Sequence, residues 1–266
     1  MIVALFSTAA RLSDFLPMLL ARPAIPFRIP PGIRLVRVNP TTGLLARAGD
    51  KTRLCYLANP NNPTGSFISA AEVRRLREGL PGHALLVLDS AYAEYIHRDD
   101  YSDGVELVDG HDNVVMTRTF SKIYGLAALR LGWLYAPAAV VDALNRFRGP
   151  FNVNAPAQAA GLAAIEDTAF IDAAVAHNDE WRPWLEREAA ALGLTVHPGV
   201  ANFALVEFPG EPGRDADAAH NHLLAQGISP RALAKSGLTE CPRCCWGPED
   251  GQRAGEHARD GWFGRR

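Results

Sequence analysis

The stretch ALLVLD at 84–89 runs five apolar residues in a row and ends on an acid. A strand with one face in water alternates apolar and polar residues. A run without alternation fits a strand covered on both faces, as in a parallel sheet flanked by helices. Parallel neighbours need long crossover connections, and the surrounding sequence supplies them. RLCYLAN at 53–59 reads as a second strand, closed by the turn signal PNNPTG. Ser69 and Glu72 form an S-x-x-E capping box that opens the helix AAEVRRLREGL. NVVMTRT at 113–119 is a third strand and LGWLYA at 131–136 a fourth, followed by the amphipathic helix AAVVDALNRFR at 138–148. This order predicts an α/β layer architecture with a mostly parallel sheet.

The rhythm breaks at GPFNVNAPAQ, residues 149–158. Two helical stretches follow, the second from about Thr168 to Leu192 with Trp181 and Trp184. Then come NFALVEF at 202–208, alternating like a half-buried strand, a helix near 215–226 and a last strand near 241–246. That half is α+β in character. The sequence therefore predicts a boundary near residue 150, with 1–150 and 151–266 as separate domains.

Composition excludes several classes. A net charge of −2 gives no case for a nucleic-acid binder. No stretch reaches the eighteen apolar residues of a membrane span, and MIVALFSTAA lacks the basic start of a secretory signal. Four cysteines do not make a disulfide scaffold in 266 residues. CPRCC at 241–245 contains one C-x-x-C, but no second pair follows and His257 stands isolated. The cysteines read as ordinary buried thiols, no metal is expected, and a reducing cytoplasm fits best.

In doubly wound sheets, ligands sit outside the carboxyl ends of the strands. Those ends carry Asn62 in NPTG, then Asp89 with Tyr92 three residues on, then Thr119, Ser121 and Lys122. Arg130 follows eight positions after the lysine. A lysine in such a crevice can form a Schiff base. A carboxylate can pair with a pyridinium nitrogen, a phenol and an amide can bond a ring hydroxyl, and two hydroxyls with an arginine can hold a phosphate. That set describes pyridoxal phosphate. Each residue also has an ordinary reading: Lys122 and Arg130 on the surface, Asp89 as a cap, Tyr92 in the core, Asn62 in its turn, Thr119 and Ser121 on local backbone. Their ordered arrival at successive strand ends favours the chemical one.

NPNNPTG, LDSAYAEY and RTFSKIYGLAALRLGW, in this order, closely resemble the fold-type I pyridoxal-phosphate aminotransferases, and among them the histidinol-phosphate aminotransferases. The resemblance continues through RGPFNVNAPAQAA, ANFALVEF and GLTECPRCCWG. It implies that Lys122 binds the cofactor covalently and shuttles the proton at the substrate α-carbon. Asp89 would pair with the pyridine nitrogen, and Tyr92 and Asn62 would bond the ring oxygen. Thr119, Ser121 and Arg130 would bind the cofactor phosphate. Arg243 would grip the phosphate of histidinol phosphate and, in the other half-reaction, a carboxylate of glutamate or 2-oxoglutarate, with Arg231 a second candidate. A cytoplasmic homodimer is implied when the N-terminal region is complete.

The sequence departs from the family in places. It starts late, before which relatives carry an arm, a phosphate-binding loop and early strands. The residue expected to stack on the ring, near positions 5 to 10, reads as alanine. Ser90 replaces an acid, and Pro242 would remove a ladder donor from the last strand. Truncation predicts weak cofactor retention and little turnover. The other expectations are a related decarboxylase acting on threonine phosphate, and a non-catalytic remnant.

Overall fold

The computed structural model describes residues 4–7, 40–231, 233 and 241–244. Seven α-helices occur among the described residues: α1 (Pro40–Leu45), α2 (Ala70–Gly79), α3 (Val105–Gly110), α4 (Ala138–Phe147), α5 (Ala155–Glu166), α6 (Thr168–Ala191) and α7 (Ala216–Ala225). The strands are β1 (Ala4–Ser7), β2 (Leu54–Ala58), β3 (Leu85–Asp89), β4 (Val114–Thr119), β5 (Leu131–Tyr135), β6 (Thr195–His197), β7 (Ala204–Glu207) and β8 (Arg243–Cys244). They form two compact units. The first takes in residues 4–7, 40–59 and 68–174, the second residues 60–67, 175–231, 233 and 241–244. The division falls inside α6, between Ala174 and Val175, downstream of the 149–158 break.

The first unit is built on a five-stranded sheet of order β1-β5-β4-β3-β2. β2, β3 and β4 are parallel neighbours, as the apolar runs require. β5 returns antiparallel to β4, and β1 lies antiparallel to β5, so four of the five strands point one way. The reversal of β5 has a simple cause. The connection over 120–130 holds only a single 3₁₀ turn, Ala127–Leu129, which is too little for a parallel crossover.

Both sheet faces are covered. Leu86, Leu88, Val114 and Met116 pack with Val73 and Leu76 of α2 and with Leu107 and Val108 of α3. Val87, Val115 and Leu134 face the other way, onto Val141 of α4. Fully burying each such side chain is worth about 1.5–3 kcal/mol. The Ser69 half of the capping box forms as read: its hydroxyl accepts from the Glu72 amide at 3.3 Å, while the Glu72 carboxylate accepts from Arg75 at 2.8 Å. At the far end of α2, the buried Arg77 guanidinium donates to the carbonyls of Leu80, Pro81 and Ala84. These are carbonyls just past the helix, where intrahelical partners end; the Pro81 carbonyl also accepts from the Ala84 amide and the Ala84 carbonyl from the Asn113 side chain.

The second unit holds the three-stranded antiparallel sheet β6-β7-β8. Ala204 and Val206 pack with Ala189 of α6 and with Ala216 and Ala219 of α7. Asp215 caps α7, accepting from the Ala218 amide at 2.8 Å. Pro242 keeps its carbonyl in the ladder, accepting from the Val206 amide at 3.3 Å.

Candidate active site

Parallel pairing brings the carboxyl ends of β2, β3 and β4 into one row, with Ala58 opposite Asp89 and Asp89 opposite Thr117. Asp89 ends β3, and the chain then turns through Ser90 and Ala91 into the 3₁₀ turn Ala93–Tyr95. Ser90 is buried, donating its hydroxyl to the Asp103 carbonyl at 2.8 Å, so the residue that replaces an acid ties this turn down. Beyond β4, Phe120 and Ile123 are sunk in the core and flank Lys122. Phe120 packs with Leu131, Val153 and Ala157, and its ring centroid lies 4.9 Å from that of Tyr124. Core residues on both sides thus fix where the lysine emerges.

The Lys122 Nζ lies 4.9 Å from the centroid of the Tyr92 ring. Tyr92 is buried at 3 % exposure, so the phenol expected from the core reading and the one expected beside the lysine are the same group. Burial pushes the Asp89 carboxyl above the ordinary aspartate value. A hydrogen bond from Tyr56, one from the Ala91 amide and the Lys122 charge oppose that rise without cancelling it. The Tyr56 hydroxyl donates to Asp89 Oδ2 at 2.5 Å. Its own phenol proton is held more tightly than usual, by burial first and then by the Asp89 charge.

Thr119 and Arg130 each contact Ser121. The Ser121 amide donates to the Thr119 hydroxyl at 3.1 Å. Arg130 adopts the left-handed conformation with φ 52°, and its Nη1 donates to the Ser121 hydroxyl at 3.4 Å and to the Ala127 carbonyl at 2.7 Å. A left-handed non-glycine residue at such a place is held there by its surroundings.

Asn62, Arg231 and Arg243 belong to the second unit. Arg243 Nη1 donates to Asn62 Oδ1 at 2.8 Å, and its guanidinium carbon sits 4.8 Å from the Phe203 ring centroid. Arg231 and Arg243 exchange both backbone bonds, at 3.0 and 2.9 Å, so the two candidate anion-binding arginines are directly paired. The NPTG loop is held by Asn61, whose side chain accepts from the Thr64 hydroxyl at 2.9 Å. Gly65, with φ +72°, lies 3.4 Å from the Gly199 Cα through its would-be Cβ, a spacing that leaves little room for a side chain.

Two features escaped the sequence reading. Tyr56 could be placed beside Asp89 only once the register of β2 on β3 was known. Arg118 forms a partly buried cluster with Glu94 at 3.8 Å and Asp103 at 3.5 Å, and lies 5.7 Å from the Trp133 ring centroid. Burial raises the Glu94 carboxyl and Arg118 counters it. The sequence signal for that cluster was weak, since each partner sits on a different element. Cys245, His257 and the expected ring-stacking position lie outside the described residues, or outside those with described side chains.

The sequence model described as aminotransferase class I and II matches residues 38–250. The chain belongs to that family. It is 52 % identical over 210 residues to the histidinol-phosphate aminotransferase of Rhodopseudomonas palustris strain BisB18, covering 79 % of this chain and 58 % of the relative. It is 55 % identical over 200 residues to the enzyme of the same name from Paramagnetospirillum magneticum, covering 75 % of this chain and 55 % of the relative. Among solved structures, histidinol-phosphate aminotransferase from Sinorhizobium meliloti in complex with pyridoxal 5'-phosphate matches with a TM-score of 0.75 at 33 % identity. That match covers 84 % of this chain and 61 % of the other. The chain thus spans a little over half the length of the curated relatives it matches. The fold-type I architecture expected from the sequence is the one observed.

Proposed function

We propose that this chain carries the catalytic part of a cytoplasmic, homodimeric transaminase that moves an amino group between histidinol phosphate and 2-oxoglutarate with pyridoxal phosphate. The observation that carries the proposal is the meeting of Asp89, Lys122 and Tyr92 at the carboxyl edge of a parallel sheet, in a chain whose relatives bear that name. We further propose the division at residue 150 as the functional one, between a cofactor-binding large domain, 1–150, and a smaller domain, 151–266. Among the described residues no helix is long and apolar enough to cross a membrane.

The residues fit the cofactor. Asp89 is a carboxylate whose charge burial disfavours, and a protonated ring nitrogen is the partner that would relieve it. The Thr119, Ser121 and Arg130 group offers hydroxyls and a guanidinium within one turn of chain. When bound, pyridoxal phosphate supplies an aldehyde for an amine and a ring that accepts electrons. Asp89 would accept the hydrogen bond of the ring N–H and hold that proton in place. Tyr92 and Asn62 would orient the ring oxygen. Lys122 Nζ would hold the cofactor and then take and return the proton at the substrate α-carbon. Arg243, with Arg231 beside it, would bind the substrate phosphate or carboxylate.

Borohydride reduction of the chain mixed with pyridoxal phosphate, followed by peptide mass spectrometry, tests the assignment. A pyridoxyl adduct on Lys122, lost in Lys122→Ala, is expected. An adduct of equal yield on other lysines, or none at Lys122, would refute it. A product assay then separates the amino-transfer reading from decarboxylation of threonine phosphate. Glutamate-dependent formation of a keto product is expected, and release of carbon dioxide would favour the other.

A further inference from the structure

We propose that His197, Glu207 and Cys241 form a binding site for a borderline-soft divalent cation such as Zn²⁺ on one face of the β6-β7-β8 sheet. His197 lies opposite Leu205, and Arg243 lies opposite Leu205 on the other side. Glu207 is two residues from Leu205, and Cys241 two from Arg243, so the period of two puts all three side chains on the same face. The His197 Nε2 and Glu207 Oε2 are 2.9 Å apart. The Cys241 sulfur joins them so that the three ligand atoms lie within 4.8 Å of one another.

The donor set selects the ion. Imidazole nitrogen, carboxylate oxygen and thiolate sulfur together suit zinc and its neighbours, whereas magnesium and calcium take oxygen shells. Ligands around a tetrahedral zinc stand about 3.3–3.6 Å apart, as bond lengths near 2.0–2.3 Å dictate. Binding would therefore open the His197–Glu207 pair slightly from 2.9 Å and draw the Cys241 sulfur in from within 4.8 Å. Three protein ligands leave one position for water, the open arrangement of a zinc site with an exchangeable ligand.

The site is not the one the C-x-x-C spacing suggests. Cys241 and Cys244 are an odd number apart on an extended strand, so they face opposite ways. Cys241 is buried beside Leu205 and Leu233. Cys244 packs on the other face, with Ala204 and Val206. The motif is split by the sheet, and the partners of Cys241 come from β6 and β7, far away in sequence.

Binding would clip three short strands together, since β6, β7 and β8 contain only three, four and two residues. The proton balance follows from the ligands. The incoming ion displaces the thiol proton of Cys241, which passes to solvent, while a neutral imidazole keeps its one proton on the ring nitrogen that does not bind. Affinity therefore rises with pH until the metal-free thiol is itself deprotonated.

The experiment is a competition titration of the chelator-stripped chain with Zn²⁺ against a chromophoric chelator, with Co²⁺ as a second probe. One equivalent of Zn²⁺ and a near-ultraviolet sulfur-to-cobalt absorption band are expected. Cys241→Ser should abolish the band, and His197→Ala and Glu207→Gln should each weaken binding about a hundredfold or more, exceeding the loss seen when residues behind a ligand are changed. Cys244→Ser should bind as wild type, and so should the double variant Cys245→Ser, His257→Ala. The proposal is overturned by the absence of stoichiometric binding, by a cobalt band that survives Cys241→Ser, or by binding that depends on Cys245 and His257 instead. Circular dichroism of each variant distinguishes a lost ligand from a lost fold. If Cys241→Ser does not fold, a Co²⁺ affinity unchanged in His197→Ala and Glu207→Gln overturns it equally. The outcome is independent of the transaminase reading, because no cofactor enters the measurement.

Discussion

The Tyr56 hydroxyl donates to Asp89 Oδ2 at 2.5 Å, across the parallel register of β2 on β3. Among the groups that oppose burial at Asp89, this hydrogen bond is the largest. Replacing it with Tyr56→Phe should move the Asp89 carboxyl further above its ordinary value and cost about 1.5 kcal/mol, the low end for a bond to a charged group, because Tyr56 is 40 % exposed. Carboxyl-carbon NMR titration reads the shift directly. A downward or absent shift in Tyr56→Phe would show that the phenol does not support the charged form.

Asp89 itself should trade stability for function. Its folded value lies above the ordinary 3.8, so the folded chain binds more protons than the unfolded one between that value and the raised one. Stability then falls as pH rises through this window and levels off above it. Asp89→Asn removes the charge but keeps an acceptor for Tyr56. The variant should therefore be more stable at neutral pH, by about 2–4 °C in Tm for each kcal/mol relieved, and its pH profile should lose that slope. Thermal melts of the cofactor-free protein from acid to neutral pH check both. Lower stability of Asp89→Asn at neutral pH would mean that burial does not dominate at this carboxyl.

Local rules carried most of this structure, and register carried the rest. Apolar runs such as 84–89, the Ser69 cap and the turn at PNNPTG are short-range signals, and each formed where it was read. Lys122, Asp89 and Tyr92 were legible because strand ends in parallel sheets converge whatever the exact register. The Tyr56 contact and the approach of His197 and Glu207 to Cys241 depend on which residue stands opposite which. No window of sequence contains that information. The same holds for Arg118, whose partners Glu94 and Asp103 lie on turns that only the folded sheet brings to it.

That cluster makes a sharp prediction. Arg118 and Glu94 have side chains only 15 % and 12 % exposed, and Asp103 adds a second carboxylate. Arg118→Met leaves two acids facing each other without their cation, which for a largely buried pair costs about 3–5 kcal/mol. Burial already raises Glu94, and Arg118 is the main group holding it down, so Glu94 rises further in the variant. A carboxyl with a raised folded value loses stability as pH rises, so the deficit should shrink toward acid pH. Tyr101 and Tyr124 also border the cluster but titrate far above this range. Urea unfolding at mildly acid and neutral pH is the measurement. A deficit that is the same at both would show that lost packing against Trp133, and not the unpaired acids, is responsible.

Arg243 and Asn62 are joined across 181 positions by a 2.8 Å hydrogen bond, and this contact ties the NPTG loop to the last described strand. A double-mutant cycle isolates it. Asn62→Ala removes only the acceptor, while Arg243→Met also removes the stacking on Phe203 at 4.8 Å. The single substitutions should therefore differ, with Arg243→Met the costlier by about 0.5–1 kcal/mol, the worth of an exposed cation–π contact. The coupling between them should be about 0.5–1.5 kcal/mol, as for one hydrogen bond near the surface. If Arg243 serves the substrate anion as proposed, inorganic phosphate should protect the wild-type chain against unfolding more than it protects Arg243→Met. Equal protection of the two proteins by phosphate, together with an intact coupling energy, would leave Arg243 as a strut for the loop and remove it from the anion site.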